Sequence, residues 1–179
     1  MRRASFWLFA ASVLVCAGGC ARRVVTVNCG SERDFVGPDG AKWLADRERV
    51  AGSEWGAVGG MTIVRTGLEM DGMLAPLYLT ERYSMEAYEF DVPDGLYLVR
   101  LHFAETYERH TAAGQRVFGV RINGEDVLKD LDVLLEAGGF AKPLVKEIDN
   151  LKVRGGKIRI DFVAKTQNPE INAIEILEY

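Results

Sequence analysis

The stretch "GLYLVRLHFAETY", Gly95 to Tyr107, alternates around a run of large apolar side chains and contains no helix-period pattern. A period of two places successive side chains on opposite faces of an extended chain. The stretch therefore predicts a β-strand with a buried face. Working outward, "RVVTVNCG" from Arg23, "RVFGVRING" from Arg116, "KIRIDFVA" from Lys157 and "NAIEILEY" from Asn172 read the same way. Long stretches with a 3.6-residue period are missing, so the domain is predicted to be predominantly β.

The turn signals agree. "PDG" at Pro93 to Gly95 separates "YSMEAYEFDV" from "LYLVRLHF", and Asn123-Gly124 sits between "VFGVRI" and "EDVL". Asn-Gly suits a type I′ hairpin, whose two central residues both need positive φ. "RGG" at Arg154 to Gly156 marks another reversal. Short strands punctuated in this way predict an all-β fold, a jelly-roll-like antiparallel β-sandwich. Between Ser31 and Met73 the pattern loosens. "GPDGAKWLADRERVAGSEWGAVGGM" is rich in glycine, charge and tryptophan, and reads as a long ordered loop across one end of the sandwich. "VLLEAGGFAKPLVKEI" reads as a second irregular connection.

The first twenty residues stand apart from this domain. Met1, Arg2 and Arg3 precede the apolar run "ASFWLFAASVLVCA", which has the length of a signal-peptide core and is short for a membrane span. "AGGC", Ala17 to Cys20, resembles a bacterial lipobox, with Cys20 as the lipidated residue; ordinary cleavage near Ala21 is the alternative. Residues 1–20 are read as a signal peptide of lipoprotein type and 21–179 as one domain. The protein is expected to be an exported, membrane-anchored lipoprotein of the bacterial cell envelope, touching membrane only through the lipid, or otherwise periplasmic or secreted.

The chain carries 22 basic and 26 acidic residues, and without Arg2 and Arg3 the balance is 20 against 26, a formal charge of −6. This gives no basic excess for a phosphate backbone, so nucleic acid is not an expected partner. Of three cysteines only Cys29 lies inside the domain, which leaves no intrachain disulfide to form. His102 and His110 have no cysteine or histidine neighbours at ligand spacing, so no metal and no cofactor is expected. Loop oxygens near Asp34 and Asp39 lack a calcium-loop motif. Glu105, Glu108, Asp161 and Glu175 are candidate carboxylate pairs for glycoside hydrolysis, but among 26 acids such a pair arises by chance. The expectation is a protein that is not an enzyme.

Aromatics at loop or strand-end positions remain: Trp43, Trp55, Tyr78, Tyr83 and Tyr107. A pyranose ring presents C–H bonds that pack on an aromatic face, while its hydroxyls need groups that donate and accept. Core packing is the competing role for each aromatic taken singly.

In order along the chain, "VNCG" at Val27, "LYLTERY" at Leu77, "LVRLHFAETY" at Leu98, "GQRVFGVRINGEDVLKDLDV" at Gly114 and "NPEINAIEIL" at Asn168 resemble the malectin family. That resemblance implies a jelly-roll-like β-sandwich with long ligand-side loops, where aromatics and an aspartate hold a glucose disaccharide without hydrolysing it. It also implies company with glycan-degrading enzymes among bacterial relatives. Carried over by position, the family's site residues fall on Tyr83, Tyr107 and, in "EWG", Trp55. Two positions depart from the pattern, Glu108 where an aromatic follows the second tyrosine and Gln167, followed by Asn168, where the family has aspartate. Glu108 removes a stacking surface but can accept sugar hydroxyls, and Gln167 both donates and accepts. The expected function is binding of a glucose-containing oligosaccharide or polysaccharide through Trp55, Tyr83, Tyr107, Glu108, Gln167 and Asn168. The alternative is an envelope protein-interaction or scaffold domain with a decayed sugar site. Glu81 and Arg82 are expected to order the turn that presents Tyr83, as an exposed ion pair.

Overall fold

A computed structural model describes residues 21–179, so the signal segment and Cys20 lie outside the described residues. Two sheets face each other and a third, small sheet sits beside them. The first contains β1 (Arg22–Asn28), β2 (Phe35–Val36), β3 (Lys42–Ala45), β8 (Gly95–Phe103), β11 (Leu144–Val153) and β14 (Ala173–Glu178), in the order β11-β8-β14-β1-β3-β2. The second contains β4 (Trp55–Val58), β7 (Ala87–Asp91), β9 (Val117–Ile122), β10 (Glu125–Leu131) and β12 (Lys157–Thr166), in the order β10-β9-β12-β7-β4. The third is β5 (Met61–Val64), β6 (Thr80–Tyr83) and β13 (Glu170–Ile171), with β6 central. All named pairings are antiparallel except β1 with β3. The fold is the expected β-sandwich.

The alternation that predicted β8 has a direct physical outcome. Tyr97, Val99, Leu101 and Phe103 form its inward row, and all are buried against Tyr88, Phe90, Phe118, Val120, Ile122, Ile158 and Ile160 of the second sheet. Burying a side chain of this size contributes about 1.5 to 3 kcal/mol. Asn123 and Gly124 have φ of 50° and 86° and join β9 to β10 with Ile122 opposite Glu125, the primed turn that Asn-Gly predicts. "PDG" and "RGG" are reversals of another kind, because β7 and β8, like β11 and β12, belong to opposite sheets. The two crossings brace each other: Gly156 N–H donates to Asp94 Oδ1 at 2.8 Å, and Val92 N–H to Gly156 O at 3.1 Å.

Two irregular readings change. The stretch after Ser31 is not a long loop, since it supplies β2, β3, β4 and β5 to all three sheets. These strands have two to four residues each, too short for a period to show in sequence. "VLLEAGGFAKPLVKEI" holds a helix, α2 (Val133–Ala137), capped by Asp132 Oδ1 accepting from Leu135 N at 3.0 Å and ended by Gly138 at φ 74°. A shorter helix, α1 (Ala75–Tyr78), holds Leu77 and Tyr78, and β6 begins only at Thr80. Tyr78 then faces inward, its hydroxyl 2.9 Å from His102 Nδ1, while His102 Nε2 lies 3.0 Å from Glu175 Oε1. A neutral imidazole protonated on Nε2 satisfies both contacts. Asn172 fastens β6 to the end of β8: its side chain accepts from Ala104 N at 2.6 Å and donates to Thr80 O at 2.8 Å.

Candidate functional site

The small third sheet supports the site. β6 receives Tyr83 opposite Met61 on β5 and opposite Glu170 on β13, so two backbone ladders fix the position of Tyr83. Behind it the end of β1 passes so close that a Cβ on Gly30 would lie 2.2 Å from Glu81 O, at a φ of 80° that glycine alone adopts freely. Opposite, the chain leaving β8 turns through Glu105 and presents Tyr107, which is 36% exposed. Tyr107 N–H donates to Glu105 Oε1 at 2.9 Å, and the ring packs edge-on against His110 at 4.9 Å.

Between the two tyrosines lies an open cleft of about 270 Å³, lined by Ile63, Arg65, Glu81, Tyr83, Tyr107, His110, Arg116, Gln167 and Asn168. A second cleft of about 310 Å³ shares Ile63, Arg65 and Tyr107 with it, and continues past Thr66, Leu68, Glu108, Arg109 and Phe140. Tyr107 and Arg65 thus form the wall between two adjoining hollows.

The floor is charged and tightly paired. Arg65 Nη2 donates to Glu81 Oε1 at 2.7 Å, its Nε donates to Thr106 Oγ1 at 3.0 Å, and Thr106 in turn donates to Glu81 Oε2 at 2.7 Å. Arg116 Nε lies 2.9 Å from Glu105 Oε2, and His110 Nδ1 lies 3.1 Å from the same oxygen. Glu81 and Glu105 are each at most 2% exposed. Their bonds are already made, so they hold the geometry of the floor beneath Tyr83, Tyr107, Gln167 and Asn168.

The expected site residues divide accordingly. Tyr83, Tyr107, Gln167 and Asn168 come together in the first cleft, and Glu108 is exposed on the second. Gln167 sits in a left-handed conformation, φ 60°, at the turn into β13. Trp55 does not join them. It is 7% exposed, belongs to the sandwich core and stacks on Phe90 at 6.1 Å, with Arg47 Cζ 4.1 Å from its ring centroid. The cause is register: Trp55 and Ala57 alternate inward along β4, which pairs with β7 through Trp55 opposite Phe90. Glu81 and Arg82 are likewise not an exposed pair. Successive residues of a strand point to opposite faces, and Arg82, 4% exposed, bonds Asp46 at 2.8 Å and Glu48 at 2.6 Å instead.

The carboxylates weighed for hydrolysis are dispersed: Glu105 under the cleft, Glu108 outside it, Asp161 with Arg159 on the second sheet and Glu175 behind His102. Asp34 and Asp39 accept from Ala45 N and Ala41 N and so hold turns. Among the described residues no group of three or more His, Cys, Asp or Glu side chains is placed to hold a metal ion. Arg65, His110 and Arg116 were missed in sequence as cleft residues; Arg65 reaches the cleft through Glu81 and Thr106, distant along the chain, whereas His110 and Arg116 gather on nearby Glu105 in an irregular loop that no period marks.

A family model described as the malectin domain matches residues 23–175. Among curated proteins the chain is similar to malectin of Mus musculus, 38% identical over 116 residues covering 56% of this chain and 39% of that one. Malectin of Homo sapiens is 36% identical over the same shares. The chain spans about two-fifths of the length of these relatives. Among solved structures, a β-glucuronidase of Bacteroides uniformis superposes with a TM-score of 0.78 at 29% identity, covering 87% of this chain and 18% of that one. The extracellular domain of ANXUR2 from Arabidopsis thaliana, at 21% identity and a TM-score of 0.69 over 87% of this chain and 48% of that one, shares the fold.

Proposed function

The chain belongs to the malectin domain family, a family of carbohydrate-binding domains, and on that premise we propose that it binds a glucose-containing oligosaccharide or polysaccharide without cleaving it. The observation that carries this reading is the cleft in which Tyr83 of β6 and Tyr107 of the loop after β8 face one open hollow with Gln167 and Asn168 at its rim. The tyrosines offer flat apolar faces with a hydroxyl each, and the two amides both donate and accept. These are the groups that a ring with axial C–H bonds and equatorial hydroxyls requires. The floor carboxylates are held by arginines and a threonine, which suits a rigid binding surface rather than acid–base chemistry.

The neighbouring β-glucuronidase, of which this fold makes up a small part, supports a partnership with a glycan-degrading enzyme. The apolar leader and Cys20 support export and a lipid anchor. The competing reading, a protein-interaction or scaffold domain, draws on Glu108 in an aromatic's place and on the burial of Trp55, which leaves two aromatics in the cleft.

Calorimetry on the 21–179 domain with glucose oligosaccharides and glucans separates these readings. Binding should be weak, because each net hydrogen bond contributes about 0.5 to 1.5 kcal/mol. Tyr83→Ala and Tyr107→Ala should each weaken it by roughly 1 to 3 kcal/mol through lost packing and hydroxyl contacts. A folded domain that binds none of these sugars at millimolar concentration overturns the carbohydrate reading.

A further inference from the structure

Glu170 lies beneath the cleft and the binding reading leaves it without a role. It is 0% exposed, and neither carboxyl oxygen has a hydrogen-bond partner. Its backbone pairs with Tyr83, and Pro169 O accepts from Ser84 N at 3.0 Å, so the segment carrying Gln167 and Asn168 is tied to the strand carrying Tyr83 at this point. The charged groups around Glu170 are Glu81 from β6, Glu105 from the chain after β8, Arg116 from the turn before β9 and Arg65 from the chain after β5. His110 adds a titratable imidazole through its contact with Glu105.

A count of charge decides what Glu170 can be. Arg65 is engaged with Glu81 at 2.7 Å and Arg116 Nε with Glu105 at 2.9 Å, while Arg116 Nη1, also buried, has no hydrogen-bond partner. A third carboxylate in the same floor would set three buried negative charges against two guanidinium groups, a costly arrangement. We propose that Glu170 is a positioning residue of the sugar cleft: as an uncharged acid it allows the wall bearing Tyr83, Gln167 and Asn168 to close over the two ion pairs, and its ionisation drives that wall away. Burial, followed by the negative charge of Glu81, pushes the carboxyl well above the ordinary glutamate value of 4.5, against the opposing charges of Arg116 and Arg65. The consequence for ligand binding rests on the carbohydrate reading; the state of Glu170 does not.

The test uses carboxyl-labelled domain, followed by NMR across pH without sugar, alongside Glu170→Gln, which keeps the shape and stays neutral. Glu170 should stay protonated at pH values where an ordinary glutamate has ionised, and the amide signals of Tyr83, Gln167 and Asn168 should follow its titration in the wild type and not in the variant. The folding equilibrium constant of the wild type relative to Glu170→Gln should fall as pH rises above about 4.5, by up to tenfold per pH unit for one proton. Glucan affinity should fall with the same titration in the wild type and stay within about twofold in Glu170→Gln. His110→Gln should retain the loss, which assigns it to the carboxyl. A Glu170 signal that titrates at the ordinary value, parallel stability profiles, or wall amides indifferent to its titration overturns the proposal. Should neither protein bind sugar at any pH, the carbohydrate reading falls, and the ligand-free titration still decides the role of Glu170.

Discussion

Replacing Arg82 with methionine removes a guanidinium that joins three parts of the fold. Its Nε donates to Asp46 Oδ2 at 2.8 Å, and its Nη1 donates to Glu48 Oε1 at 2.6 Å and to Gly59 O at 2.9 Å. Asp46 is itself buried, 3% exposed at its side chain, where it also accepts from Gly30 N at 2.7 Å and from the Tyr88 hydroxyl at 2.9 Å. Methionine retains much of the apolar stem but leaves the Asp46 charge without its cation. Removing one partner of a buried pair costs about 3 to 5 kcal/mol, against about 0 to 1 kcal/mol for an exposed one. For a domain of this size that corresponds to a fall in Tm of about 6 to 20 °C. Urea unfolding followed by tryptophan fluorescence measures the change as a lower midpoint at unchanged slope. The loss should persist in 1 M salt, since a buried pair is screened little. A folded Arg82→Met domain that loses less than about 1 kcal/mol would refute the assignment of this side chain to the buried network.

Trp55→Ala should destabilise the domain by about 3 to 5 kcal/mol, as loss of a large core side chain does, with glucan affinity of the remaining folded protein preserved. Denaturation and titration of the same sample check both halves. Gly30→Ala should cost at least about 2 kcal/mol, because its Cβ meets the Glu81 backbone at a positive φ, whereas Gly124→Ala, with open space around it, should cost about 1 kcal/mol. Thermal unfolding of the two variants compares them directly. Glu175 provides an acid-side prediction. Burial raises its carboxyl, but the His102 hydrogen bond and the nearby positive charge of Arg100 and Arg23 outweigh that and hold it below 4.5. A depressed folded value stabilises above the unfolded one and is lost as pH falls through it. Wild type should therefore lose stability relative to Glu175→Gln below about pH 4.5, and parallel acid unfolding curves would contradict this.

The fold was legible where residues carry periodicity. β8, β9, β12 and β14 are long enough for alternation to mark a buried row, and Asn123-Gly124 fixes its hairpin by local backbone preference alone. β2, β4 and β5 carry no such signal, because two to four residues cannot establish a period and their pairing partners lie elsewhere in the chain. Within the site, Tyr83 and Tyr107 were identified through motif resemblance and the cleft contains both. Trp55 was assigned by the same resemblance and lies in the core instead, because motif evidence says nothing about which face of a strand a side chain occupies.

The sequence by itself determined a β domain, its hairpin at Asn123-Gly124 and an acidic balance of charge, and its motif resemblance identified the pair of tyrosines that the cleft contains. The first three follow from local properties: period, turn preference and composition. Only the tertiary structure decided that Trp55 faces the core, that Arg82 pairs with Asp46 rather than Glu81, and that Glu170 lies unpartnered under the cleft. Each of those depends on which strand lies beside which and in what register, and a shift of one residue reverses the face of every side chain on a strand.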